Sequence, residues 1–551
     1  MADADKVTAI NALLNAKKEL ARENLWDFCE ALSPDFYKED RFHLMELTTL
    51  LTFLYEGKLM VPKYFVIDGK QIPVEAIDID LSTDDTWKKF MMNMPPQHGK
   101  SRTLTNFSAW CFGKNNAERV LLASYNDEAA TDFSKYTRDI IKQEKSELVK
   151  NDLVYSDIFP DTKLKFGSAT YKQWALEGQH FNYKGGGVGG SFTSKGGTIL
   201  IIDDPIKNAE EAFSQLALDR AWNFITGTFL SRVSAEGGEP IEILNMTRWA
   251  EKDPCGHHME GKKLYYLGDT PFEIDGQTFY FPHLWCFGKW LLVKMEVQDA
   301  KGEMLCPAIF GKERYKELEE IMPEAILKAN YHQQPIDIEG KVFKRDELLY
   351  FKQVDLDKLI KEGMVDGVIA YADVADEGED NFSKPIGYMV GDKCYIADVV
   401  FTKDKVEKTS LTVAKKLIEH NVQISYYESN NGGKTFALLV KEKYSKLNAM
   451  MHKLSTTTFK WRPNWQNKET RIYMESEFIK KHMVFLDPSE YKKNSEYGMF
   501  MQEIWDFNVE GKNVHDDAPD SVHGLTILFK SIIKKKQKHE DGHRRSSTKR
   551  R

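Results

Sequence analysis

Met94-Pro-Pro-Gln-His-Gly-Lys-Ser101 lies between an apolar run at 88–94 and a helical stretch at 101–111. Its spacing is that of a phosphate-binding loop, with Met94 where the pattern has its first glycine. The chemistry requires backbone N–H groups turned toward phosphate oxygens, a lysine that reaches the β and γ phosphates, and a hydroxyl for Mg2+. Gly99, Lys100 and Ser101 supply these. A helix over 101–111 would bring its positive N-terminal end to the same place.

Glu428-Ser-Asn-Asn-Gly-Gly-Lys-Thr435 has the same spacing and the same missing glycine. A phosphate loop needs an acid on a separate strand to hold Mg2+, and that requirement chooses between the two. Thr198-Ile-Leu-Ile-Ile-Asp-Asp204 reads as a buried strand ending in two carboxylates. Asp203 is expected to hold Mg2+ through water and Asp204 to orient the attacking water. Downstream of Lys434 the nearest analogue is Met483-Val-Phe-Leu-Asp487, which runs into Pro488. Lys100 is therefore taken as the nucleotide lysine. The plainer reading of Asp203-Asp204-Pro205 is a strand-end turn.

Outward from these motifs the text alternates between strand and helix. Strands are expected at 88–94, 119–124, 198–203 and 241–246, and helices at 101–111, 126–143, 208–224 and 312–329. That alternation predicts a parallel-rich sheet with crossover helices. The glycine-rich run Gly185–Gly197 suits a loop that senses or contacts DNA, or a long hairpin loop. Ile243-Leu-Asn-Met-Thr-Arg-Trp249 is another strand with a polar end, placed to report loss of the γ phosphate. Upstream, residues 1–60 read as a helical segment of the same domain and 61–335 as its body. Residues 336–346 read as a linker, because 330–346 contain Pro335 and Gly340 without a period.

A second α/β unit is expected over 347–533. Strands at 366–374, 385–390, 393–400 and 422–428 and helices at 404–420, 433–445, 468–481 and 518–534 predict a mixed sheet that opens as a meander. Acids stand at its strand ends and at one helix start: Asp373, Glu428, then Asp516, Asp517 and Asp520 in His515-Asp-Asp-Ala-Pro-Asp-Ser521. Carboxylates gathered from separate elements repel one another unless cations neutralise them. Two divalent ions would do so and would hold the attacking and leaving oxygens of a phosphodiester. The arrangement is that of an RNase H-like nuclease. Asp380 is either a further ligand or a loop acid.

Composition bounds the rest. The chain has 551 residues, 42% hydrophobic and 29% charged, as in globular proteins. No apolar run reaches the roughly 18 residues of a membrane helix. The N-terminus is expected to carry no signal peptide, since it lacks a basic start and an apolar core. Six cysteines at irregular spacing suit a reducing, intracellular setting. The spacing of Cys255, His257, His258, Cys286 and Cys306 is not that of a zinc site. Net charge is −8, yet residues 534–551 hold nine Lys or Arg against two acids. The other 533 residues therefore carry −15. The tail is read as basic and disordered, either touching a polyanion or aiding solubility.

Taken together these motifs resemble the terminase large subunit of tailed bacteriophages. The resemblance rests on Pro-Pro-Gln-His-Gly-Lys-Ser, the glycine-rich run leading into Leu-Ile-Ile-Asp-Asp-Pro, and Thr-Arg-Trp after a strand. Gln-Gln-Pro at the hinge and the His-Asp-Asp-Ala-Pro-Asp ending complete it. It covers roughly 20–535 and implies an α/β chain in which a P-loop ATPase domain is followed by an RNase H-like nuclease domain. It implies an ATP-driven motor that pumps double-stranded DNA into a procapsid and an endonuclease that cuts the concatemer, with Mg2+ or Mn2+ at both sites. The implied partners are the portal protein, the terminase small subunit and further copies in a ring on the procapsid. The implied place is the host cytoplasm, with no membrane and no presence in the mature virion.

Residue by residue, the resemblance gives Gln97, His98, Gly99, Lys100, Ser101, Arg102 and Asp203 to nucleotide binding, with Ser101 and Asp203 on the metal. It gives Thr247, Arg248 and Trp249 to coupling. Asp204 stands where many such motors carry glutamate, so its role as catalytic carboxylate rests on a shorter arm. Asp373, Glu428 and Asp517 match the nuclease triad, with Asp516 an alternative to Asp517 and Asp520 a further metal acid. Arg138 and Arg102 both suit the arginine finger, with Arg138 the first choice. The alternatives are a transposase or resolvase-type recombinase with a regulatory ATPase domain, and a scaffold with dead sites.

Overall fold

The computed structural model describes residues 2–145, 153–167, 170–192, 195–233, 238–335, 341–374, 381–430, 432–451, 455–463, 467–509, 513 and 515–548, with side chains from 9 to 535. Asp380 and residues 193–194 of the glycine-rich run lie outside them. The chain divides into two units. Met1–Lys316 and Ala325–Asp337 form the first; Glu317–Glu324 and Ile338–Arg551 form the second.

The first unit is built on a nine-stranded sheet. Its order is Gln173–Trp174, Tyr183–Gly187, Val120–Ser124, Ile199–Asp203, Ile241–Asn245, Lys89–Asn93, Trp290–Lys294, Leu284–Phe287 and Tyr265–Tyr266. The six strands from Tyr183–Gly187 to Trp290–Lys294 are mutually parallel. Such strands are covered on both faces, which is why Val120–Ser124, Ile199–Asp203 and Ile241–Asn245 are buried at every position. Alternate residues serve opposite cores. Phe90, Met92, Leu122, Ile201 and Ile243 pack with the N-terminal helices and the helix Lys100–Lys114. Met91, Leu121, Leu200, Ile202 and Leu244 pack with Leu218, Phe224 and Phe229. The strand Trp290–Lys294 had no expectation in the sequence.

Two of the expected helices before residue 336 are broken. The stretch 208–224 becomes Ala209–Ala212 and Gln215–Phe224, because the Ser214 hydroxyl caps the second by accepting from the Ala217 N–H. The stretch 312–329 becomes Lys312–Ile321 and Glu324–His332, broken at Pro323, which cannot donate to a continuing helix.

The second unit holds a seven-stranded sheet. Its order is Leu349–Phe351, Met483–Leu486, Lys393–Thr402, Phe382–Val390, Gly367–Ala372, Ile424–Glu428 and Thr458–Arg462. The first three long strands pair antiparallel as a meander and the remaining pairs are parallel. Val413, Leu417, Phe436 and Val440, from the helices Val406–Glu419 and Gly433–Met450, cover one face. The helix Asp517–Thr548 covers the other, with Ser521 and Ser383 hydroxyls 2.7 Å apart. Gly524 of that helix lies against Tyr371, where a Cβ would come within 2.1 Å of the ring. The expected helix 468–481 is two, Lys468–Met474 and Ser476–His482. The helix from Asp517 continues to Thr548 through most of the segment expected to be a disordered tail. All six cysteines are free and buried. No helix among the described residues is long and apolar enough to cross a membrane.

Candidate active sites

Between Asn93 and the helix Lys100–Lys114 the chain takes left-handed backbone at Gln97 (φ 64°) and Gly99 (φ 91°). Those two positions turn successive N–H groups to one side of the loop. At Gly99 a Cβ would stand 2.9 Å from the Phe36 ring, so glycine is required twice over. Met94, in place of the first glycine, is fully buried in the core.

Lys100 is buried, donates to the Thr247 hydroxyl and lies 3.7 Å from the Asp204 carboxylate. The Ser101 hydroxyl donates to Asp203 at 2.9 Å, and the Asn245 amide donates to the same oxygen at 2.5 Å. Burial, and then the neighbouring Asp204, push the Asp203 carboxyl up to about 7. Asp204 has φ 41°, accepts from the Thr247 N–H at 3.0 Å and donates its own N–H to Asn245 at 2.8 Å. Gln97, Gly99, Lys100, Ser101, Arg102, Asp204, Thr247 and Trp249 line a cavity of about 460 Å³. A hydroxyl and carboxylates are hard oxygen donors, the set that suits Mg2+.

The other expected residues of this site serve its walls. His98 faces inward, its ring 2.9 Å from the Pro96 carbonyl, and burial lowers its pKa. Arg248 is buried against Asp253 at 2.9 Å, while its N–H donates to Gln333 and its carbonyl accepts from Asn330. Thr247–Trp249 thus ties the cavity to the end of the helix Glu324–His332. Arg102 lines the cavity and stacks over Phe36 at 4.2 Å. Arg138, the first choice for arginine finger, does not line it. Its guanidinium stacks over Tyr171 at 5.1 Å and reaches toward the Thr170 carbonyl, because its turn of the helix Asp127–Lys142 faces that segment. Asn245 and Asp253 were missed. Asn245 was findable, since it ends the strand beside Ile199–Asp203 and pairs with Asp203.

In the second unit Asp373, Glu428 and Asp520 bring ligand oxygens within 4.8 Å of one another, the only such acid, His or Cys group among the described residues. Asp520 thus stands where Asp517 was expected. The two are one helical turn apart, and Asp517 turns to accept from the Asn381 N–H at 2.9 Å. Asp516 lies farther out and meets Lys468 at 2.7 Å. Burial, and then Asp373, hold Asp520 well above the usual carboxylate range. Burial raises Glu428 as well, against Arg471. The look-alike loop at 428–435 therefore contributes Glu428 to this cluster.

Three further residues had no sequence expectation. Lys468 lies 3.2 Å from Asp373, 3.4 Å from Asp517 and 3.5 Å from Asp520 as well as beside Asp516. Arg471 pairs with Asp520 and, at 3.5 Å, with Glu428. Glu503 accepts from the Ala518 N–H at 2.8 Å, and burial pushes its carboxyl up to about 7. Excess carboxylate in a half-buried cluster is a site for divalent cations, and the oxygen donors fit Mg2+ or Mn2+.

The class so defined is an α/β chain with a P-loop ATPase fold in the first unit and an RNase H-like fold in the second. Residues 372–483 match the family model described as "Terminase Bacteriophage T7, Ribonuclease H-like domain". This match bears out the resemblance to terminase large subunits. Among solved structures the chain is similar to the large terminase from a thermophilic bacteriophage in complex with ADP. The identity is 10% and the TM-score 0.40, over 80% of this chain and 95% of that one. The HK97 bacteriophage large terminase matches at 9% identity and TM-score 0.30, over 85% and 99%. The Mn-soaked, inhibitor-bound human cytomegalovirus terminase nuclease domain matches at 10% identity and TM-score 0.27, over 34% and 95%. No curated protein matches the chain by sequence.

Proposed function

We propose that the chain is an ATP-driven translocase of double-stranded DNA and a metal-dependent DNA endonuclease, acting as a terminase large subunit. The observation that carries the reading is the presence on one chain of the Lys100–Ser101–Asp203–Thr247 constellation and the Asp373–Glu428–Asp520 cluster.

In the first unit the N–H groups at 97–101 and Lys100 hold the phosphates, Ser101 and Asp203 hold Mg2+, and Arg102 lies at the cavity edge. Asp204, fixed by the Thr247 N–H, orients the attacking water. Departure of the γ phosphate removes the charge that Lys100 faces. Thr247 bonds both Lys100 and Asp204, so it carries that change through Arg248 to Asn330 and Gln333. In the second unit Asp373, Glu428 and Asp520 hold the divalent cations, which neutralise the acids and the scissile phosphate. Asp516, Asp517 and Glu503 hold the outer side, and Arg471 keeps Asp520 and Glu428 in place. The partners proposed are double-stranded DNA, the portal protein, the small subunit and further copies in a ring docked on the procapsid in the host cytoplasm.

Reciprocal variants of the full chain test this. Lys100→Ala should abolish ATP turnover and leave Mn2+-dependent plasmid nicking, and Asp373→Ala should do the reverse. ATP turnover surviving Lys100→Ala overturns the motor, and nicking surviving Asp373→Ala overturns the nuclease. A recombinase would instead yield strand-transfer products on a short duplex.

A further inference from the structure

The strand Thr458–Arg462 is the last of the seven, with one backbone edge unpaired by any strand among the described residues. It pairs with the strand that ends in Glu428, Lys460 opposite Tyr426 and Arg462 opposite Glu428. Its burial alternates: Thr458, Lys460 and Arg462 are exposed, while Phe459 and Trp461 are half-buried against the core. The Phe459 ring stacks with Tyr427 and meets Tyr444 edge-on. These two aromatics fix the register, since a slip by one residue would turn them out to water.

With the register fixed, Lys460 and Arg462 face the side of the sheet that carries Tyr371, Tyr426 and Glu428. The Tyr371 and Tyr426 rings stack on that side. Arg462 therefore stands one strand spacing, about 5 Å, from Glu428. Lys460 and Arg462 have no carboxylate within 4 Å among the described residues, whereas Lys468 and Arg471 beside them are fully engaged with acids. Two uncommitted cations thus flank the acid cluster, spaced by two strand residues, about 7 Å. That spacing lets each take a different phosphate.

We infer that the edge strand Thr458–Arg462 is a guide for the DNA backbone, with Arg462 and Lys460 holding successive phosphates on the Glu428 side of the cut. The inference rests on the proposed nuclease reading and adds to it where the strand lies. Both are positioning residues: they act on the strand and leave the bond-breaking step to the acid cluster.

The full chain carrying Lys460→Gln and Arg462→Gln tests it, with duplex DNA binding measured against salt and plasmid nicking measured in Mn2+. Two lost phosphate contacts should lower the slope of log K against log salt by about 1.8. KM for nicking should rise about tenfold with kcat within twofold, and Arg462→Lys should restore most of the loss. An unchanged salt slope overturns the guide. So does a lowered slope with unchanged KM, which would put the contacts away from the cut, or a fall in kcat alone, which would make Arg462 a prop for Glu428. Edge cations also deter strand-to-strand aggregation; aggregation as the sole defect overturns the guide too. Absence of nicking by the unaltered chain overturns the nuclease reading, and the binding slope still decides the guide.

Discussion

The Ser101 hydroxyl donates to the Asp203 carboxylate at 2.9 Å, joining a helix start to a strand end 102 residues later in the sequence. A carboxyl this buried, beside a second acid, keeps its proton to about pH 7. The folded chain therefore holds a proton that the unfolded chain releases near pH 4, so Asp203 makes stability fall as pH rises from about 4 to 7. Glu503, also raised to about 7, acts in the same direction. Thermal unfolding in EDTA should show this decline, and Asp203→Asn with Glu503→Gln should flatten it. Mg2+ should raise Tm more at pH 7.5 than at pH 5; an equal rise at both would count against Asp203 as a ligand.

Lys468 lies within ion-pair distance of four acids, Asp373, Asp516, Asp517 and Asp520. Lys468→Ala should destabilise the metal-free chain by about 3 kcal/mol, since two of the acids it pairs, Asp517 and Asp520, are buried. The same change removes a competing cation, so Mn2+ should bind more tightly. Chemical denaturation with EDTA or Mn2+, and calorimetric titration, measure the two effects, which should have opposite signs.

The two candidate fingers separate cleanly. Arg102→Ala should raise KM for ATP or lower kcat at least tenfold, because its guanidinium borders the cavity with Lys100. Arg138→Ala should leave basal ATP turnover within twofold, because its guanidinium is engaged with Tyr171 and the Thr170 carbonyl. The opposite ranking in a steady-state assay would reassign the finger.

Gly524→Ala should cost about 1–3 kcal/mol, since its Cβ would drive the helix Asp517–Thr548 off the Tyr371 ring. Asp520 rides on the same helix, so nicking should fall while ATP turnover is kept. Urea unfolding paired with both assays checks it.

The expected strands were legible as apolar runs, some ending in acids as in Thr198–Asp204 and Gly367–Asp373, whereas Tyr183–Gly187, Leu284–Phe287 and Thr458–Arg462 had no expectation. The P-loop was legible because its demands on Gly99, Lys100 and Ser101 are local. What escaped was set by tertiary pairing. Trp290–Lys294 joins the sheet only by lying beside Lys89–Asn93. Asp520 displaces Asp517 because the helix presents one acid per turn to the strand ends, a phase that the spacing of Asp516, Asp517 and Asp520 leaves open. Lys468 and Arg471 gave no signal, since cations on an amphipathic stretch ordinarily point to water. Ser214 and Pro323 did carry visible helix-break signals, and apolar periodicity masked them.

The six buried thiols have a practical corollary. All six are buried in the folded chain, so none is open to an alkylating dye. A cysteine introduced on either unit would be the sole handle for a fluorophore, and a doubly labelled chain could report the separation of its two halves through an ATP cycle without first deleting a native residue.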